Sequence, residues 1–224
     1  MGKVTPLKLA VLVSGGGSNL QAIIDACKAS DYPAEIVLVF SNQPDAGGLE
    51  RARRAGIRAE AISHKGFEGG REAYDSTVSG LIEESGADLV VLAGYLRLVS
   101  ESFVTRWQGR LINIHPSLLP SFKGLHVHQA ALDAGVKYSG CTVHYVVPEV
   151  DSGPIIAQAV VPVLPGDDAG TLAQRILKQE HRIYPQVIRW IAEGRVSTND
   201  AGIVSVADAN APDFAQINPV PEPN

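Results

Sequence analysis

The chain is poor in the features that would place it outside an aqueous compartment or build it around covalent staples. It holds only two cysteines, Cys27 and Cys141, with no CxxC spacing, which excludes a disulfide framework and fits reduced thiols in a cytoplasmic protein. It has no apolar run of membrane-spanning length, since Leu9-Ala-Val-Leu-Val13 stops after five residues. The segment Met1 to Pro6 lacks the apolar core of a secretory signal, and Pro6 stands where a myristoylation signal wants Ser or Thr. Net positive charge is also missing: the formal charge is −5, so nucleic acid and acidic membranes find no general attraction. An anionic ligand must therefore be held by a local site. What remains is an ordinary globular composition, 45% hydrophobic and 19% charged over 224 residues, with ample chain for a sizeable core.

Hydrophobic patterning predicts an α/β fold. Strands are expected at 8–13, 35–40, 57–62 and 88–93, alternating with helices at 18–30, 48–55 and 71–84. This βαβαβαβ rhythm implies a doubly wound, mostly parallel, Rossmann-like sheet with right-handed crossovers. The second half differs. A strand at 111–114 is followed by a Pro- and Gly-rich loop, a short helix at 128–134, and two strands at 140–147 and 154–161 that can pair antiparallel. A helix over 171–192 turns Leu172, Ile176, Ile183, Val187 and Ile191 inward, with a kink expected at Pro185. Residues 1–207 read as a single domain, with a first half at 8–103, a second at 104–207, and a loose Pro-rich tail over 208–224.

Three stretches can carry chemistry. Ser14-Gly-Gly-Gly-Ser-Asn-Leu20 joins the first strand to the first helix, where glycines free the backbone N–H groups to hold an anion. Leu20 occupies the place of the third small residue of a dinucleotide fingerprint, and no Walker Lys follows. A phosphate monoester fits better, against the plainer reading of a tight turn capped by Ser18. Arg110-Leu-Ile-Asn-Ile-His-Pro-Ser-Leu-Leu-Pro120 sets Asn113 and His115 on one face at a strand's carboxyl end, where open α/β sheets bind ligands. Asn offers donors and an acceptor, and His can switch charge near neutrality. The plainer reading is that both satisfy backbone groups where the strand ends. Asp151, in a Val-Asp-Ser-Gly turn, can orient His115 if its loop folds over that crevice. His126 and His128 have no carboxylate or Cys at ligand spacing, so no metal is expected.

Taken together, SGGGSNLQAI, FSNQPDAGGLERA, LAGYLRLV, NIHPSLLPSFKGLHVHQAAL, GCTVHYVVPEVDSGPIIAQ and QEHRIYP resemble the phosphoribosylglycinamide formyltransferases, over residues 8 to about 196. The resemblance implies formyl transfer from the co-substrate 10-formyltetrahydrofolate to the amine of phosphoribosylglycinamide, in a monomer or homodimer without metal, nucleic acid or membrane. It implies that Gly17, Ser18 and Asn19 cradle the ribonucleotide phosphate and that Glu180 contacts the glycinamide end. Leu96, Arg97, Leu98 and Val99 would lie against the pterin, with Arg71 and Asn113 also on the folate side. Asn113, His115 and Asp151 match the catalytic trio, and His144 a supporting position. A methionyl-tRNA formyltransferase would carry a further C-terminal domain and a basic surface, and a formyl folate hydrolase an extra N-terminal domain. A nucleotide sensor without turnover would have no use for the trio.

Overall fold

The computed structural model describes residues 5–210 and Asn218. A seven-stranded sheet runs through its centre in the order β3-β2-β1-β4-β5-β6-β7. These strands are β1 (Leu7–Val13), β2 (Ala34–Ser41), β3 (Ala59–Ala61), β4 (Leu89–Leu92), β5 (Leu111–His115), β6 (Tyr138–Tyr145) and β7 (Ile155–Pro162). The first five pair in parallel, while β5–β6 and β6–β7 are antiparallel. The chain winds outward from β1 in one direction and from β4 in the other, so the switch point lies between those two strands.

Side-chain alternation along β1 sends Leu9, Val11 and Val13 to one core and Ala10 and Leu12 to the other. The first core packs under α1 (Ser18–Cys27), α2 (Gly47–Arg54), α5 (Val127–Asp133) and α6 (Ala169–Ala192). The second packs under α3 (Gly70–Glu84) and α4 (Glu101–Arg106), where Tyr74, Phe103 and Trp107 are buried. Both faces of the central strands β1 and β4 are thus covered, which is why they read as continuous apolar runs.

The expected α/β architecture and the antiparallel pair are both present, with boundaries that differ in instructive places. Helix α1 ends at Cys27, three residues before its expected end. Helix α6 starts at Ala169 because Asp168 accepts from Thr171 N at 2.7 Å while Thr171 Oγ1 accepts from Asp168 N at 2.9 Å. It continues past Pro185, whose ring removes one N–H but whose carbonyl accepts from Tyr32 Oη at 2.7 Å. Ile183 and Ile191 are only partly buried, and Glu180 and Tyr184 are fully packed in the inward row. Helix α4 and a small hairpin, β8 (Val196–Thr198) with β9 (Val204–Val206), were not anticipated from the patterning. The two thiols are unpaired, and burial pushes Cys27 up to about 11 and Cys141 up to about 12, which leaves both protonated and unreactive. Most of the expected tail lies outside the described residues; Asn218 Nδ2 donates to the carbonyl of Lys137 at 2.6 Å. No helix among the described residues is long and apolar enough to cross a membrane.

Candidate active site

Two loops meet at the switch point. The glycine loop after β1 enters α1 through Gly17, whose φ of 70° is left-handed. A Cβ there would stand 2.7 Å from the Gly48 Cα, so α2 approaches this loop closely enough to require glycine at 17, while a Cβ at Gly48 would meet the Val13 side chain at 2.9 Å. Gly48 N donates to Gly15 O at 3.0 Å, and Arg51 Nε donates to Gly16 O at 2.6 Å. The loop carbonyls are therefore engaged from behind. No side chain caps α1, so the plainer reading of a turn capped by Ser18 gives way to an uncapped helix start at Gly17. The second loop, after β4, is joined to the first by Ser14. Its backbone N donates to Gly94 O at 3.0 Å, and its Oγ accepts from Leu96 N at 2.8 Å. Ser14 Oγ in turn donates to Asn42 Oδ1 at 2.6 Å.

The imidazole of His115 is buried at the carboxyl end of β5. Its Nε2 lies 2.9 Å from the Phe122 carbonyl, and since a carbonyl only accepts, that nitrogen carries a hydrogen. Nδ1 is left facing Asp151 Oδ2 at 3.5 Å. Antiparallel pairing sets His144 of β6 directly opposite Asn113. His144 Nδ1 donates to the Tyr145 carbonyl at 2.9 Å, and Asn113 Nδ2 meets His144 Nε2 at 3.3 Å. Burial lowers the pKa of His144 and favours the neutral ring, so its bare Nε2 accepts from the amide. Asp151 Oδ1 stands 3.8 Å from the same nitrogen.

Asp151 reaches this cluster from the β6–β7 connection, which folds over the crevice as expected. The β6–β7 connection leaves the sheet beside Leu111, where Val146 N donates to Leu111 O at 2.9 Å, and then folds back over the face. Asp151 adopts φ 48°, and its Oδ2 accepts from Gly124 N at 2.8 Å. Gly153 follows, where a Cβ would fall 1.8 Å from the Tyr145 carbonyl oxygen. The turn is thus fixed on both sides of the carboxylate.

Glu180 is 6% exposed and accepts from Asn19 Nδ2 at 2.7 Å, which ties α6 to the glycine loop. Burial raises its pKa; the Asn19 hydrogen bond and the nearby His115 act in the opposite sense. Asn19 Oδ1 is buried without a hydrogen-bond partner among the described residues.

The residues singled out from sequence thus fall into distinct places. Asn113, His115, His144 and Asp151 form one cluster, with Glu180 linking it toward Gly17, Ser18 and Asn19. Leu96 and Leu98 are exposed beyond the second loop, at 74% and 57%, with Val99 partly buried. Arg97 lies between them but turns inward to Asp75. Arg71 is exposed in the first turn of α3 and joins no described ion pair of the cluster. The Phe122 carbonyl, Gly124 N and Ser14 escaped sequence reasoning because backbone groups and long-range partners leave no spacing signal. Glu180 did leave one: Ile176, Glu180 and Tyr184 recur every fourth residue, which puts the carboxylate on the buried stripe.

Comparison with known proteins agrees with this geometry. The formyl transferase family model matches residues 7–188. The chain is 49% identical over 194 residues to phosphoribosylglycinamide formyltransferase of Escherichia coli (strain K12), covering 87% of this chain and 91% of that protein. It is 48% identical over 196 residues to the trifunctional purine biosynthetic protein adenosine-3 of Gallus gallus, covering 88% of this chain but spanning only 19% of that protein's length. Glycinamide ribonucleotide transformylase 1 from Symbiobacterium toebii superposes with a TM-score of 0.87 at 48% identity, covering 91% of this chain and 95% of that one. A family match over most of the chain, and high identity along nearly all of a bacterial relative, make this protein a member of the formyl transferase family.

Proposed function

We propose that this protein transfers the formyl group of 10-formyltetrahydrofolate to the amine of 5'-phosphoribosylglycinamide, giving formylglycinamide ribonucleotide and tetrahydrofolate in cytoplasmic purine biosynthesis. One observation carries the reading. Asn113, His115, His144 and Asp151 cluster at the carboxyl end of β5, one strand from the switch point, and Glu180, close enough to feel the His115 charge, is hydrogen-bonded to Asn19 of a glycine loop suited to a phosphate. The identity of the Escherichia coli relative as a phosphoribosylglycinamide formyltransferase supports it.

In this reading the backbone N–H groups of Gly17, Ser18 and Asn19 hold the phosphate, and Glu180 faces the glycinamide end. The pterin lies along residues 96–99, with the exposed Leu96 and Leu98 against its ring and Arg71 toward the folate's acidic end. The amine attacks the formyl carbon, forming a C–N bond and moving the carbonyl electrons onto oxygen. Asn113 has a second Nδ2 hydrogen, unused by His144, for that oxyanion, and the Nδ1–H of a protonated His115, whose Nε2–H is held by the Phe122 carbonyl, supplies the other donor. Asp151 keeps a proton on His115 Nδ1 and helps carry the proton lost by the attacking amine, through a water, to the departing N10 of the folate. The intermediate then collapses and the C–N10 bond breaks. No formyl-enzyme is formed, and no metal is needed.

The test is a formyl-transfer assay with both substrates, run beside His115→Ala and Asp151→Asn. Transfer by the parent with a large loss in each variant supports the activity and the roles. Transfer that survives both substitutions keeps the activity and removes the mechanism. Consumption of formyl folate without ribonucleotide replaces transfer with hydrolysis.

A further inference from the structure

The segment Tyr95-Leu-Arg-Leu-Val99 reverses the usual arrangement of a surface loop. Its two leucines point outward, 74% and 57% exposed, while the arginine between them is withdrawn, with only 13% of its side chain accessible. An apolar surface left in water and a charge taken out of it are both unfavourable unless something offsets them. The arginine is fully accounted for. Arg97 donates through Nη1 to Asp75 Oδ1, and its guanidinium carbon lies 4.3 Å above the Tyr74 ring. Asp75 is 1% exposed, and its other oxygen accepts from Ser100 N at 2.5 Å. That amide opens α4, whose Phe103 N is capped by Ser100 Oγ at 3.3 Å. Tyr74 is itself tied through Oη to the Ile62 carbonyl at 2.7 Å. The far end of the loop is held separately, by Ser14.

One carboxylate therefore grips the loop at two points three residues apart, and Leu98 lies between them. The chain bends at Arg97, and with its side chain drawn inward the leucines on either side stand outward. We infer that Asp75 is a positioning residue for formyl folate: through Arg97 and Ser100 it holds Leu96 and Leu98 in the crevice as a preformed apolar platform. This inference rests on the proposed placement of the pterin along residues 96–99. It also changes the part given to Arg97, whose guanidinium serves the loop from behind instead of touching the ligand. A platform ordered before binding spares the ligand the cost of ordering it.

Initial-rate kinetics with each substrate varied separately tests this. Asp75→Asn keeps an acceptor for Ser100 N and removes the charge that holds Arg97. The expected result is a KM for formyl folate raised about tenfold, with kcat and the KM for ribonucleotide within about twofold of the parent. Asp75→Glu should recover part of that loss. Because Asp75→Asn leaves Arg97 without its counter-charge and can fail to fold, the doubly neutral Asp75→Asn/Arg97→Gln is measured beside it and should show the same selective rise in KM. An unchanged KM for formyl folate in the double variant, or equal losses toward both substrates, overturns the inference. Leu96→Asp separates the two levels. If it raises that KM while the Asp75 variants do not, the pterin placement stands and the positioning role falls. If it has no effect, the pterin lies elsewhere and both fall.

Discussion

Asp75 and Asp151 are both largely buried aspartates, and they differ in how completely their oxygens are used. Asp75 gives one oxygen to Arg97 and the other to Ser100 N and is 1% exposed, so both oxygens are engaged and out of a ligand's reach. Asp151 has one firm hydrogen bond, from Gly124 N, and faces two imidazole nitrogens at 3.5 and 3.8 Å. Those separations are too long for hydrogen bonds and short enough for a proton arriving on either ring to be felt. The saturated carboxylate builds, and the under-used one is available to react. Burial alone does not distinguish them.

Breaking the comparison from its reactive side gives the largest effect. Asp151→Asn and His115→Ala should each lower kcat about 10²–10⁴-fold, as expected for lost proton transfer, with the thermal midpoint close to the parent's. A loss of stability without a kcat effect would put Asp151 in the same class as Asp75. From the other side, Asp75→Ala strands the Arg97 guanidinium and should cost about 3–5 kcal/mol in urea unfolding. A cost under about 1 kcal/mol would mean the pair is screened like a surface one.

Glu180 stands between the two, with one hydrogen bond and a pKa raised chiefly by burial. It binds its proton more tightly folded than unfolded. Its contribution is complete below the ordinary glutamate value of about 4.3 and is lost as pH rises through the higher folded value. Glu180→Gln, which cannot ionise, should therefore gain stability on the parent as pH rises through that window. Parallel denaturation curves at every pH would contradict this. The smallest effect concerns His144, whose pKa burial lowers, so its contribution is present above about 6.5 and lost as pH falls through the folded value. Protonation turns Nε2 from acceptor to donor and releases Asn113. The kcat profile should show an acid limb below about 6.5, and His144→Gln, which retains an acceptor, should flatten it at a cost within about tenfold. A limb unchanged by the substitution would assign it to another group.

The same contrast explains how far the sequence could be read. The central parallel strands were visible because burial on both faces makes them apolar runs, as in Leu9-Ala-Val-Leu-Val13 and Leu89-Val-Val-Leu92. Helix α4, six residues long, and the three-residue strands β8 and β9 are too short for any period to register. In the site, Asn113 and His115 stood out by their place at a strand end. The inward turn of Arg97 did not, because its cause is Asp75, twenty-two residues upstream on another element. An arginine between two leucines reads equally well as a ligand contact until its partner is seen.

The backbone at Asp151 has a consequence for which residues can occupy that position. With φ at 48°, it favours side chains that tolerate the left-handed region, chiefly glycine, asparagine and aspartate, although Phe122 and His126 adopt it elsewhere in this chain. Of these, aspartate alone brings a carboxylate. Conformation and chemistry therefore filter the position independently and agree on one amino acid. A library randomised at this codon should return aspartate among active clones, asparagine and glycine among folded inactive ones, and glutamate among clones less stable by about 1–2 kcal/mol.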